Sequence, residues 1–303
     1  MTIKSSGSSL AISEIAAEFG GSTPHSMSEY YAGGDNVPSS TGDIASSGSN
    51  AMSNFYGTSN RIIITLTISG DTANYNIFSN KGGTYSAGLS DVTLVNNATI
   101  SSSSTGTAAV DTGSGWASGD TITIDNNSTI VGDGGDGGAG GSSNDGSGAA
   151  GGAAGHAINI QFNTTVDNTS GTISGGGGGG GGGNGAINAV SVKGGTRNDT
   201  CAGSGGGGGR GGGTGGAAGS IVAQGGNNST GNAGSAGTLT DAGAGGAAGG
   251  TGSNVGNAGG TGGNVGAAGG SGGGGAGAAG KAINLNGNTV TFTATGTRNG
   301  ATS

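Results

Sequence analysis

Residues 132–280 form a tract in which glycine runs such as 175–183 and 205–209 alternate with short apolar and polar inserts. A residue without a Cβ loses the most conformational freedom when it is ordered, so glycine at this density ordinarily reads as flexible linker. Three features oppose that reading. Four runs end in nearly the same phrase, at 155–158, 185–187, 219–221 and 280–283, each closing on isoleucine, and repeated endings imply repeated structural positions. The tract is nearly free of charge after Cys201, where only Arg210, Asp241, Lys281 and then Arg298 remain, and it contains no proline.

The ordered alternative is a sandwich of polyglycine II helices, left-handed with three residues per turn and a rise of about 3.1 Å. Such a helix has no internal hydrogen bonds, so each N–H and C=O must find a partner on a neighbouring helix. Only glycine allows backbones that approach on several sides. Collagen uses the same geometry but needs glycine strictly at every third position and abundant proline; two prolines in the chain and nine consecutive glycines exclude it. Disorder and a silk-like or glycine-rich β-solenoid arrangement are the competing readings.

With 81 glycines in 303 residues, 30% apolar and 4% aromatic, side-chain burial can fill only a minority of this chain. Aromatic residues concentrate before position 120, and Phe162 and Phe292 are the only ones after it. A hydrophobic core therefore belongs to the first part, leaving backbone hydrogen bonding to hold the rest. The net charge of −8 with eight Lys plus Arg leaves no basic patch for nucleic acid. Cys201 is alone, so no internal disulfide is expected. No apolar stretch of signal-peptide or membrane-spanning length occurs, and no membrane insertion is expected.

Taken in order, residues 1–60 contain near-helical apolar spacing from Ser9 to Phe19, capped by Ser9 or Ser13 and stopped by Gly20-Gly21. Two further patches follow, Met27 with Tyr30 and Tyr31, then Met52 with Phe55 and Tyr56. They read either as a small lid on the next domain or as a docking surface. From Arg61 the pattern becomes β-branched and alternating, predicting short strands at 62–68, 73–78, 91–95, 98–100, 108–111, 121–124 and 129–131. Trp116 is expected to cover one end of this unit.

The fold class is thus an all-β base over 61–131, a polyglycine II sandwich over 132–280 and little α-helix, with 281–303 as a closing hairpin turned at Asn286-Gly287. If the Ala-Ile phrases return to the base, 132–155 is an outward and a returning helix of about twelve residues, or about 37 Å. The far loops then fall at 142–145, 168–171, 196–201, 227–230 and 252–257.

Catalytic and metal motifs do not survive inspection. Residues 275–281 have phosphate-loop spacing, but Ala282 stands where a hydroxyl would hold magnesium. Ser271 sits in a formal nucleophile-elbow pattern without a strand or a histidine partner. Asp133 and Asp136 have the look of a calcium repeat that does not recur, and read as a solvated turn. Two histidines, His25 and His156, and one cysteine make a transition-metal site improbable, and no cofactor is expected. His156 occupies the place of Lys281 in the sister phrase and reads as a surface residue at the base.

The phrases at 72–78, 112–119 and 121–127, and the ending from Gly280 to Gly300, resemble glycine-rich tail-tip and tail-fibre proteins of tailed bacteriophages. The N-terminal phrase at 13–31, with 52–57, is similar to segments that begin several phage virion proteins. The whole resembles the distal adhesins of T-even-like phages, in which a polyglycine sandwich presents loops that bind a host receptor. The missing catalytic motifs add the expectation that the chain is not an enzyme, and the resemblance implies a virion protein of the tail fibre or tail tip. It implies that residues 1–60 join other tail or baseplate proteins, as a homotrimer or as a monomer on a trimeric fibre, and that the ligand is a host surface polysaccharide or outer-membrane protein. Carried onto the far loops, it nominates Ser142, Ser143, Asn144, Asp145, Asn168, Thr169, Thr196, Arg197, Asn198, Asp199, Asn227, Asn228, Ser253 and Asn254. A structural fibre component with receptor binding on another chain is the alternative, and a surface-glycan depolymerase ranks last because the tract's few acids sit in turns.

Overall fold

A computed structural model describes residues 3–39, 41, 43–222, 225–251 and 254–303. The chain is mostly β with little helix and divides into two compact units, and it passes from one to the other inside the strands Ile62–Ile68, Ser90–Asn96 and Thr121–Asn126.

The first unit comprises Met1–Leu66, Lys81–Thr93 and Gly115–Ile122. The apolar patches of its N-terminal part do not act singly: Ile3, Ile15, Phe19, Tyr30, Val37, Ile44 and Phe55 form one core, with Phe55 edge-on to both Phe19 and Tyr30. The helix Ile12–Phe19 begins at Ala11 and not at a serine, because Glu14 supplies the cap by accepting the Ala11 N–H at 2.7 Å. Asp120 ties the later segments of the unit together, accepting from Tyr85 Oη at 2.6 Å and from the N–H groups of Gly88, Ser90 and Ala117. Trp116 is buried edge-on to Tyr85, with ring centroids 5.6 Å apart.

The second unit is built from stacked coils whose strands join three sheets, nearly all of them pairing in parallel. In one sheet Ile100, Ile130 and Ile173 stand in register and fully buried; in another, Val110, Ile158 and Ile283 do the same. Inward isoleucine and valine stacks of this kind are what hold strands of only two or three residues. At one corner Asn96, Asn126 and Asn168 form a buried ladder, with amide-to-amide hydrogen bonds of 2.7 Å at each step. The ladder explains why the phrases Asn96-Asn97-Ala98-Thr99-Ile100 and Asn126-Asn127-Ser128-Thr129-Ile130 repeat.

The expected C-terminal hairpin does not form. Asn286 and Gly287 do turn the chain, at φ of 48° and 80° with Asn288 N–H donating to Leu285 O at 2.8 Å. The strands on either side do not pair with each other: Ile283–Asn284, Val290–Ala294 and Thr297–Asn299 each pair in parallel with an earlier strand, Ile158–Asn159, Thr164–Asp167 and Thr172–Ser174. The turn is a corner of the coil, since an open parallel edge with a matching apolar face was already present.

The glycine tract enters this coil stack as two insertions, one between Thr129–Val131 and Ile158–Asn159 and one between Thr172–Ser174 and Ile283–Asn284. Its segments are extended and hydrogen-bond to one another through their backbones. Gly135, Gly138 and Gly141 donate to Gly177, Gly180 and Gly183, a step of three residues that recurs throughout. Residues 176–183 donate to 149–155, 204–210 and 267–270, and accept from 135–141, 260–263 and 274–280. Residues 203–210 are likewise bonded to six others: 135–141, 177–183, 213–219, 232–235, 243–246 and 257–263. The glycine runs of these two segments, 175–183 and 205–209, are uninterrupted because backbone meets them on every side, and they are buried throughout. Peripheral segments need glycine only where they face inward, as at Gly274, Gly277 and Gly280, with alanine at outward positions. Asp133 and Asp136 lie in such a segment and not in a turn; Asp136 accepts the N–H and hydroxyl of Thr214.

Of the four repeated endings, only 155–158 and 280–283 return to the coils. There His156, half-buried, accepts the Lys281 N–H on Nδ1 at 3.1 Å. The other two, at 185–187 and 219–221, lie at the opposite end of the lattice, because an odd number of passes separates them from the coil stack.

Candidate functional site

The end of the lattice away from the coils gathers four inserts. Residues 142–146 turn between the first two segments, with Asp145 in the left-handed region at φ 53°. Ala186–Val192 and Gly195–Cys201 form an antiparallel hairpin around Lys193-Gly194, where Gly194 takes φ 106°. Gly225–Ser229 adds in parallel to the second hairpin strand, and Gly250–Thr251 pairs with Asn254–Val255 beside them.

Side chains knit these inserts together. Asp145 Oδ1 accepts the Ile187 N–H at 3.0 Å, and Ser143, fully buried, accepts the Val222 N–H at 2.7 Å and donates its own N–H to Ser220 O. Arg197 Nε lies 2.9 Å from Asp199 Oδ1, which also accepts the Asn227 N–H at 2.8 Å. The Asn227 N–H, then Arg197 against the opposing effect of burial, hold the Asp199 carboxyl below the usual carboxylate range. Thr200 Oγ1 donates to Asn228 Oδ1 at 2.6 Å, and the buried thiol of Cys201 contacts Gly249 O at 2.6 Å.

The structure therefore sorts the residues nominated from sequence. Ser142, Asn144, Asp145, Thr196, Arg197, Asn198, Asn227 and Asn228 are at this end and at least partly accessible. Ser143 and Asp199 are there too, but buried, and act as fasteners between loops. Asn254 is placed here by its backbone pairing with Thr251, while Ser253 lies outside the described residues. Asn168 and Thr169 are not here: Asn168 is buried in the asparagine ladder and donates to Thr295 O and Thr297 O, and Thr169 caps Asp167 at a coil corner. Their Asn-Thr-Ser-Gly phrase has the composition of a loop, but the segment that precedes it is a coil strand and not a lattice segment.

Sequence reasoning missed the apolar share of this surface. Val192, Ile221, Val222 and Val255 are 42%, 42%, 40% and 52% exposed. The signal was present in the β-branched run 186–192 followed by Lys193-Gly194-Gly195, a hairpin phrase. Polar loops and exposed aliphatic side chains, fixed by backbone bonds to a rigid support, make a surface suited to binding another macromolecule.

Among the described residues no helix is long and apolar enough to cross a membrane, and no group of three or more His, Cys, Asp or Glu could hold a metal. No curated protein matches the chain. One solved structure that is similar is the gp37–gp38 adhesin tip complex of the bacteriophage S16 long tail fibre, at 22% identity over 97% of this chain and 93% of that chain, with a TM-score of 0.49. The family described as phage tail fibre adhesin Gp38 matches residues 63–303, which cover most of the chain. The protein belongs to the phage tail fibre adhesin family.

Proposed function

We propose that this tail fibre adhesin binds a receptor on the host-cell surface, a polysaccharide or an outer-membrane protein, through the loops at the far end of its glycine lattice. The lattice is read as a polyglycine II sandwich, since its hydrogen bonds repeat every three residues and each central segment bonds to six others. Residues 1–60 are assigned to attachment on other tail or baseplate proteins. The observation that carries the proposal is the convergence of four inserts, rich in accessible polar and aliphatic side chains, on one end of a support whose interior holds almost no side chains. A support of that kind keeps loops in place while leaving their sequence free. The chain is read as binding and not cleaving, because Asp145 and Asp199 are both occupied in fastening loops.

The test is adsorption of phage carrying alanine at Asn144, Lys193, Thr196 and Asn227, residues exposed at that end. We expect the adsorption rate to fall at least tenfold while the purified protein keeps its melting temperature. Unchanged adsorption would move receptor binding to another chain and leave this one a spacer.

A further inference from the structure

We infer that the second unit carries a separate saccharide site at the opposite end of the lattice, a cleft selective for anionic sugar units. The cleft has a volume of about 370 Å³ and lies between the outer face of one coil sheet and the near turns of the lattice. That is within the range of small-molecule sites, roughly 300–1,000 Å³.

Its floor follows from strand alternation. Ile100, Ile130 and Ile173 point inward and are buried, so the residues before and after them face out. Thr129 and Thr172 stand in register there with Thr99 beside them, and Val131, Ser174 and Asn299 form the next row. The hydroxyls of Thr99, Thr129 and Thr172 make no hydrogen bond among the described residues, whereas Asn299 Nδ2 donates to Ser174 Oγ at 3.0 Å and its side-chain Oδ1 accepts none among them. A row of unengaged hydroxyls and an amide acceptor is complementary to a polyol.

The opposite wall comes from three turns of the lattice. Arg210 is oriented by Nε donation to Leu239 O at 3.1 Å, and its two terminal nitrogens make no hydrogen bond among the described residues. A guanidinium with a free fork fits a carboxylate or a phosphate. Leu239 and Val265 supply aliphatic surface for the C–H face of a sugar ring, and the lining holds no aromatic residue on which a nucleobase would stack. The neighbouring acids are engaged: Asp71 accepts the Thr99 N–H, and Asp241 accepts from Thr240. On a chain of net charge −8, selection for an anion therefore rests on Arg210.

The test is calorimetric titration of the full chain with glucose, glucuronic acid and glucose 6-phosphate at low salt. We expect at least one acidic sugar to bind tenfold or more tightly than glucose, with the preference shrinking as salt rises. A preference for glucuronic acid points to a uronic-acid polymer as the source, and one for glucose 6-phosphate to a phosphorylated core sugar. Arg210→Gln should bring all three ligands within about twofold of each other, and Thr172→Val should weaken all three. Should Arg210→Gln fail to fold, Leu239→Asp, at a half-exposed wall position, should repel the acidic sugars alone. No preference for the acidic sugars in the unmodified protein, or a preference that survives in the folded Arg210 or Leu239 variant, would overturn the assignment. The alanine variants of the far loops should leave these affinities unchanged, so this site and the receptor surface fail or stand separately.

Discussion

Gly179 shows how little room the lattice leaves. A Cβ there would overlap the carbonyl oxygen of Asp136, and every flanking atom is backbone that is itself hydrogen-bonded. Overpacking a side-chain core costs about 1–3 kcal/mol because rotamers can give way; here none exists, so Gly179→Ala should cost at least about 3 kcal/mol. Gly275, in the outermost row, meets nothing within 4 Å, and Gly275→Ala should change stability by no more than about 0.5 kcal/mol. Thermal melts of the two variants measure the contrast, and equal effects would sink the close-packed reading. His156 makes a second case. Burial, then the charge of Lys281, pushes its imidazole below the ordinary histidine value, and the neutral ring accepts the Lys281 N–H. A folded value below the unfolded one means that its contribution is present above about pH 6.5 and is lost as pH falls through the folded value. Its proton resonances should titrate below about 6.5, and the wild-type melting temperature should fall more on acidification than that of His156→Gln; a titration at or above the ordinary value would contradict this.

At the scale of elements, the three-residue period makes the lattice sensitive to the size of a deletion and not only to its place. In the segment 231–237 the inward positions are Gly231, Gly234 and Gly237. Removing Ala233 alone places Thr230 or Ser235 at an inward position, whichever flank is held. Removing 232–234 brings Gly237 into the place of Gly234 and shortens the segment by one turn. The single deletion should therefore lower the melting temperature more than the triple one, and the reverse order would rule out the period. Close backbone packing was legible in the sequence at the unbroken run 175–183, because glycine there is dictated by local backbone approach; the spacing of Gly274, Gly277 and Gly280 shows its period once the inward positions are known. The coil stack was less legible. Strands of two or three residues, such as Ile100–Ser101 and Val110–Asp111, are too short to show alternation, and their partners lie about thirty to fifty positions away. At the candidate site, the polar inserts at 142–145, 196–201 and 227–230 were visible from composition. Asn168 misled for the same reason, since a buried ladder asparagine and a loop asparagine look alike in one sequence. Its telltale was the earlier Asn-Asn phrases at 96 and 126, which mark corners.

The whole molecule combines two ways of excluding water. The first unit and the coils bury apolar side chains, whereas the lattice buries peptide groups. Apolar exposure raises the heat capacity of unfolding and polar exposure lowers it, so a chain with so large a lattice should unfold with a heat-capacity change below the usual ~12–15 cal/mol/K per residue. Differential scanning calorimetry reads this, and an ordinary value would mean that side-chain burial dominates after all. The run 175–183 has a further consequence, for the order in which the protein assembles. Nine identical residues carry no information about how far along its six neighbours the run should lie. Only its flanks do: Ser174, paired within the coil stack, and Asn184, whose side chain accepts the Gly148 N–H and whose carbonyl accepts that of Asn257. Neighbours drawn from positions as far apart as 135 and 280 must close around a filament that can slide until both ends are pinned. Such distant closures are intrinsically slow, so the pace of assembly should follow how quickly those two ends are caught.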